Sequence, residues 1–157
     1  MAEGGRFIGE VKTRWLQHEG RDREMELLTD FVFVDSRGVE WLAAAGSTVD
    51  GASIPDWIWS KAIGTPFIGD YRRASVVHDV ACKEKTRPHE QVHRMFYDAM
   101  IADGVAKKRA MSMYTAVRLF GPKWGVDLMV DNVAVVEFDI DELAATLDRA
   151  LAENTPR

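Results

Sequence analysis

The hydrophobic pattern of the chain changes once, near Gly51. Before it, Phe7, Gly9, Val11 and then Trp15 fall in an alternating pattern, and residues 25–34 are dense in β-formers. Asp35-Ser36-Arg37-Gly38 reads as a turn whose glycine can take a positive φ, after which residues 39–43 pair back as a hairpin. An antiparallel sheet of about three strands is the expectation.

After Gly51 the apolar residues recur at helical spacing. Ser53 stands three residues ahead of Asp56, with Pro55 between them, a capping signature for a short helix through Trp57, Ile58 and Trp59. A second helix, from about 70 to 83, places Tyr71, Ala74, His78, Ala81 and Cys82 along one face. Thr86-Arg87-Pro88 ends it, and Pro88 opens a third helix that buries Val92, Met95, Phe96, Ala99 and Met100 and stops at Asp103-Gly104. Another runs from 106 to about 119. Residues 133–138 are strand-like, and Asp139 with Glu142 opens a last helix carrying Leu143, Leu147, Ala150 and Leu151.

This order predicts an α+β fold, an N-terminal antiparallel sheet packed on a mainly helical C-terminal part that contains an antiparallel helix pair. In 157 residues without internal repeats or low-complexity linkers, one domain over 1–157 is expected, with 126–157 as an acidic extension. The first five residues lack the basic start and apolar core of a secretory signal, and no apolar run approaches the roughly 20 residues that span a bilayer. The chain is therefore expected to stay where it is made. Cys82 is the single cysteine, which excludes an intrachain disulfide and a cysteine-rich zinc cage.

A net charge of −5 argues against general nucleic-acid affinity, but the charge is unevenly spread. Residues 71–123 hold 11 Lys/Arg against 5 Asp/Glu, whereas 126–157 hold 2 against 8. Either the acidic tail folds back on the basic helices, or the 71–123 segment faces an anionic surface such as phosphate or lipid headgroups.

Three of the four histidines, His78, His89 and His93, share one helix-turn-helix stretch with Asp79 and Cys82. Two imidazoles at i and i+4, with a third imidazole and a carboxylate from the neighbouring helix, meet the ligand needs of a zinc-type site. His89-Glu90-Gln91-Val92-His93 also satisfies the His-Glu-x-x-His pattern of zinc peptidases, although the same residues fit an ordinary solvated helix edge. His78 and Asp79 diverge by about 100° on their helix, so they can divide two duties, His78 as general base and Asp79 as cation ligand. Their plainer role is a core histidine beside an aspartate paired with Arg72 or Lys83. Asp50-Gly51 and Ser53 serve equally as a turn and a helix cap. Cys82, one turn from His78, is a thiolate candidate or a small buried hydrophobe.

Thr48-Val49-Asp50-Gly51-Ala52-Ser53-Ile54-Pro55, the stretch from Tyr71 to His78-Asp79, Met95-Phe96-Tyr97 and Ala116-Val117-Arg118-Leu119-Phe120-Gly121 resemble the domain-of-unknown-function family 1353 over roughly residues 5–125. The resemblance implies a role linked to phages or prophages. A more distant likeness is to phospholipase A-two enzymes, which also carry His-Asp on a helix followed by an antiparallel helix with a second acid. That likeness implies His78 as base, Asp79 as calcium ligand, and further oxygens from the loop at Asp50 to Ser53. Where those enzymes have an orienting aspartate this chain has His93, which can hydrogen-bond His78 without stabilising an imidazolium as a carboxylate does.

The expectation is a phage-associated, hydrolase-like protein with a His-Asp cation or general-base site. His78 and Asp79 are its catalytic candidates, Asp50, Asp79, His89 and His93 its ligands, and calcium or zinc its metal. The alternative is a non-catalytic virion or tail-accessory protein that binds other virion proteins and keeps the same cluster as a structural knot.

Overall fold

The computed structural model describes residues 4–17, 24–51 and 71–125. The helix expected after Ser53 and the elements expected at 133–151 lie outside these residues. Among the described residues the fold is α+β, as the pattern predicts, with three helices following six short strands.

The strands form two antiparallel sheets. β1 (Gly5–Ile8), β4 (Phe31–Asp35) and β5 (Glu40–Ala43) make one in the order β1-β4-β5. β2 (Thr13–Trp15), β3 (Met25–Leu27) and β6 (Thr48–Val49) make the other in the order β2-β3-β6. A single sheet of about three strands is thus replaced by two, because the β-rich stretch 25–34 is cut at Leu28-Thr29-Asp30. There Asp30 Oδ1 accepts the Ala45 N–H at 2.8 Å, ending β3 and releasing β4 into the other sheet.

The β4–β5 hairpin places Phe7, Phe33 and Trp41 in one cross-strand row, with the Phe7 and Phe33 rings 4.9 Å apart. Its turn is held by the buried Asp35, which accepts from the Arg37 and Val39 N–H groups and from the Trp41 indole N–H at 2.9, 3.0 and 3.1 Å. Gly38 supplies the positive φ, at 81°.

The helices are α1 (Arg72–Glu84), α2 (His89–Ala102) and α3 (Lys107–Phe120), each within two residues of the bounds that periodicity predicts. Lys85, at φ 53°, ends α1 in a left-handed conformation with its N–H on the Ala81 carbonyl, and Pro88 starts α2. The short link 85–88 lays α2 beside α1. α1 packs on β5 and β6, and α2 on β1 and β4, so the apolar helix faces close over Phe31, Phe33, Trp41 and Val49.

Much of the basic charge of 71–123 is used within the fold. Arg73 bonds Asp103 at 2.6 Å and lies over Phe7, Arg87 lies over Trp41, and Arg94 over Tyr97. No described helix is long and apolar enough to cross a membrane.

Candidate functional site

α1 carries two polar pairs at i,i+4 spacing on adjoining faces: His78 with Cys82, and Asp79 with Lys83. Each builds a different environment.

The first face meets α2. His78 and His93 are both fully buried, and Cys82 nearly so. His78 Nε2 lies 3.0 Å from His93 Nδ1, the hydrogen bond that the sequence allows for, and Cys82 Sγ lies 3.5 Å from the same His78 nitrogen. His93 Nε2 lies 3.0 Å from the carbonyl oxygen of Pro122. A carbonyl only accepts, so the His93 proton sits on Nε2 and its Nδ1 is bare. His78 must then donate from Nε2, which leaves its Nδ1 deprotonated in the neutral ring.

Burial, joined by the nearby His93, holds the His78 pKa well below the ordinary histidine value. Burial also lowers that of His93, outweighing the opposite pull of the Pro122 carbonyl. Both shifts favour the neutral rings, the state in which these proton positions hold. The ligand atoms of His78, Cys82 and His93 all lie within 4.8 Å of one another, forming the only group of potential metal donors among the described residues.

The second face meets the glycine turn. Asp79 Oδ2 accepts the Asp50 N–H at 2.8 Å and the Gly51 N–H at 3.4 Å. The Lys83 ammonium lies 3.5 Å from that oxygen and 3.2 Å from Asp50 Oδ2, and donates to the Thr48 carbonyl at 3.1 Å. Asp79 is 1% exposed, and its Oδ1 has no hydrogen-bond partner among the described residues.

The expected ligands therefore fall into three places. Asp50 and Asp79 gather around Lys83, the pairing that sequence offered as the plainer role of Asp79. His93 turns to His78 and Cys82. His89 lies against the backbone of Trp124, accepting its N–H at 3.3 Å or donating to its carbonyl, with its other nitrogen 3.3 Å from Glu90. The His-Glu-x-x-His stretch thus directs its two imidazoles to different partners. Ser53 lies outside the described residues.

What sequence reasoning missed is the segment 122–124, which lies along the histidine edge of α2. The Trp124 indole N–H donates to the Arg87 carbonyl at 2.8 Å, and its ring lies 6.1 Å from that of His93. A cavity of about 190 Å³ beside β5, lined by Trp41, Leu42, Val77, Ala81 and Arg87 among others, contains none of the cluster residues.

Residues 25–117, which contain Asp50, His78, Asp79, Cys82 and His93, match the family described as Protein of unknown function (DUF1353). The chain belongs to that family. Two relatives come from Sinorhizobium fredii (strain NBRC 101917 / NGR234). Uncharacterized protein y4jT is 47% identical over 107 residues, covering 68% of this chain and 32% of the relative. Uncharacterized protein y4iH is 41% identical over 99 residues, covering 63% of this chain and 41% of the relative. The chain thus spans only about a third to two-fifths of these relatives. No solved structure matches it.

Proposed function

We propose that this protein is hydrolase-like and that its water-activating centre is the cluster His78, Cys82 and His93. The observation that carries this is the convergence of two imidazoles and a thiol from two helices within 4.8 Å in a buried setting. Ordinary cores are filled with aliphatic groups, and burying three such groups together costs folding free energy that a reactive centre repays in function. Neutral imidazole can accept a proton or hold a Lewis acid, and either route activates water. The phage or prophage setting comes from the family resemblance and belongs to the same proposal.

The test is turnover of chromogenic carboxylic ester, phosphodiester and peptide probes by the purified chain, with and without added divalent metal. Hydrolysis of one class, lost in His78→Asn and retained in His89→Ala, supports the proposal. Failure on all three classes, or equal rates in His78→Asn, overturns it.

A second function is favoured by Lys83. Its ammonium neutralises the oxygens of Asp50 and Asp79, as a structural knot would, and this supports a non-catalytic virion or tail-accessory role for the Asp79 side of α1. Co-purification of the chain with assembled particles, at fixed stoichiometry and unaffected by His78→Asn, is the outcome that separates this role from catalysis.

A further inference from the structure

We propose that His78 Nε2, Cys82 Sγ and His93 Nδ1 are the three protein ligands of a zinc-class divalent ion. This rests on the centre proposed above and adds the ion that the centre would hold.

The distances fit such an ion. A tetrahedral zinc with nitrogen at about 2.0–2.1 Å and sulfur at about 2.3 Å sets two nitrogens about 3.3 Å apart, and nitrogen and sulfur about 3.6 Å apart. The corresponding separations here are 3.0 Å and 3.5 Å. Movements of a few tenths of an ångström along these two edges, and closure of the third from within 4.8 Å, complete one face of the tetrahedron.

An independent feature points the same way. A metal-bound histidine characteristically donates its other ring N–H to a carbonyl or carboxylate, which fixes its tautomer and bares the ligating nitrogen. His93 does this through Nε2 to Pro122, and its bare Nδ1 faces His78 and Cys82. His78 and Cys82 meanwhile come from one rigid helix at i,i+4, so two donors are set by a single backbone.

The donor set also selects the ion. Thiolate and imidazole suit zinc and its borderline neighbours, whereas calcium and magnesium require a shell of oxygens. The oxygen-rich place in this fold, around Asp50 and Asp79, already holds the Lys83 ammonium. Proton balance follows directly. His93 binds as it stands, the His78 proton moves from Nε2 to Nδ1, and the Cys82 thiol releases its proton to solvent, giving one proton per ion. Three protein ligands leave a fourth position, where a bound water would have its pKa lowered toward neutrality.

The experiment uses the full chain, stripped by chelation and titrated with Zn²⁺ and with Co²⁺ as a spectroscopic probe. One equivalent of metal, one released proton and a cobalt–thiolate charge-transfer band are expected. Cys82 is the single cysteine, so that band in the unaltered protein reports this site without any variant that must fold. Cys82→Ser should remove the band and weaken affinity by more than the roughly 10- to 100-fold typical of losing an outer-shell partner, while His89→Ala leaves both unchanged. No stoichiometric uptake by the folded chain, a cobalt spectrum without the thiolate band, or loss of binding in His89→Ala overturns the assignment. Metal uptake without turnover of any probe would remove the proposed hydrolase and keep the metal site. Turnover without uptake would remove the metal site and leave His78 as a base.

Discussion

The ammonium of Lys83 lies 3.5 Å from the buried carboxylate of Asp79, one helical turn before it. Asp50 and the Thr48 carbonyl complete its surroundings, so a side chain stands where the loop and Asp79 would otherwise gather oxygens for a hard cation.

Lys83→Gln should therefore do two things. Removing the ammonium leaves Asp79, among the described residues, with its two backbone donors, which costs about 1–3 kcal/mol for a buried polar group, near the low end because Lys83 is itself more than a third exposed. It should also expose the Asp50 and Asp79 oxygens to calcium. In thermal melts, millimolar Ca²⁺ is expected to raise the Tm of the variant and leave the unaltered protein unchanged. Equal responses would show that Lys83 does not govern the site.

Trp124 should control metal affinity without touching the metal. Its indole N–H on the Arg87 carbonyl holds the segment that presents Pro122 to His93. Trp124→Ala is expected to weaken Zn²⁺ binding about 10- to 100-fold, with Trp124→Phe intermediate because it keeps the ring and loses only the N–H. Competition titration against a zinc chelator measures this, and imidazole ¹⁵N shifts show whether His93 has lost its fixed tautomer.

Acid should destabilise the metal-free protein from near neutrality downward. His78 and His93 have folded pKa values below the unfolded value of about 6.5, so the unfolded chain binds more protons. The stability that their neutral forms allow is fully present above about pH 6.5 and is lost as pH falls toward the folded values. Asp98 works in the other sense: burial raises its pKa against the pull of Ser36 and Arg94, so its contribution is largest in acid and fades as pH rises through that raised value. Urea midpoints should fall between pH 7 and pH 5, and His93→Gln should flatten that slope.

The three described helices are legible because their apolar residues repeat at short range, and the stripe from Tyr71 to Cys82 by itself places His78 and Cys82 together. The pairing of Asp79 with Lys83 was legible for the same reason, being four residues apart. The split of residues 25–34 was not, since it depends on Asp30 meeting Ala45 fifteen residues later. Nor was the fate of His89, whose partner Trp124 is thirty-five residues away. Spacing and the phospholipase likeness together put Asp50, Asp79, His89 and His93 into one ligand set, whereas in three dimensions Asp79 faces the turn while His93 faces α1.

Less than two turns of α1 carry His78, Asp79, Cys82 and Lys83, and so fix the angular setting of both polar environments at once. Inserting or deleting a single residue upstream in α1 would swing all four side chains by about 100° and dismantle both places together. Substitutions can thus alter the imidazole–thiol cluster or the Asp–Lys pair separately, whereas a change in the length of this helix before His78 displaces both.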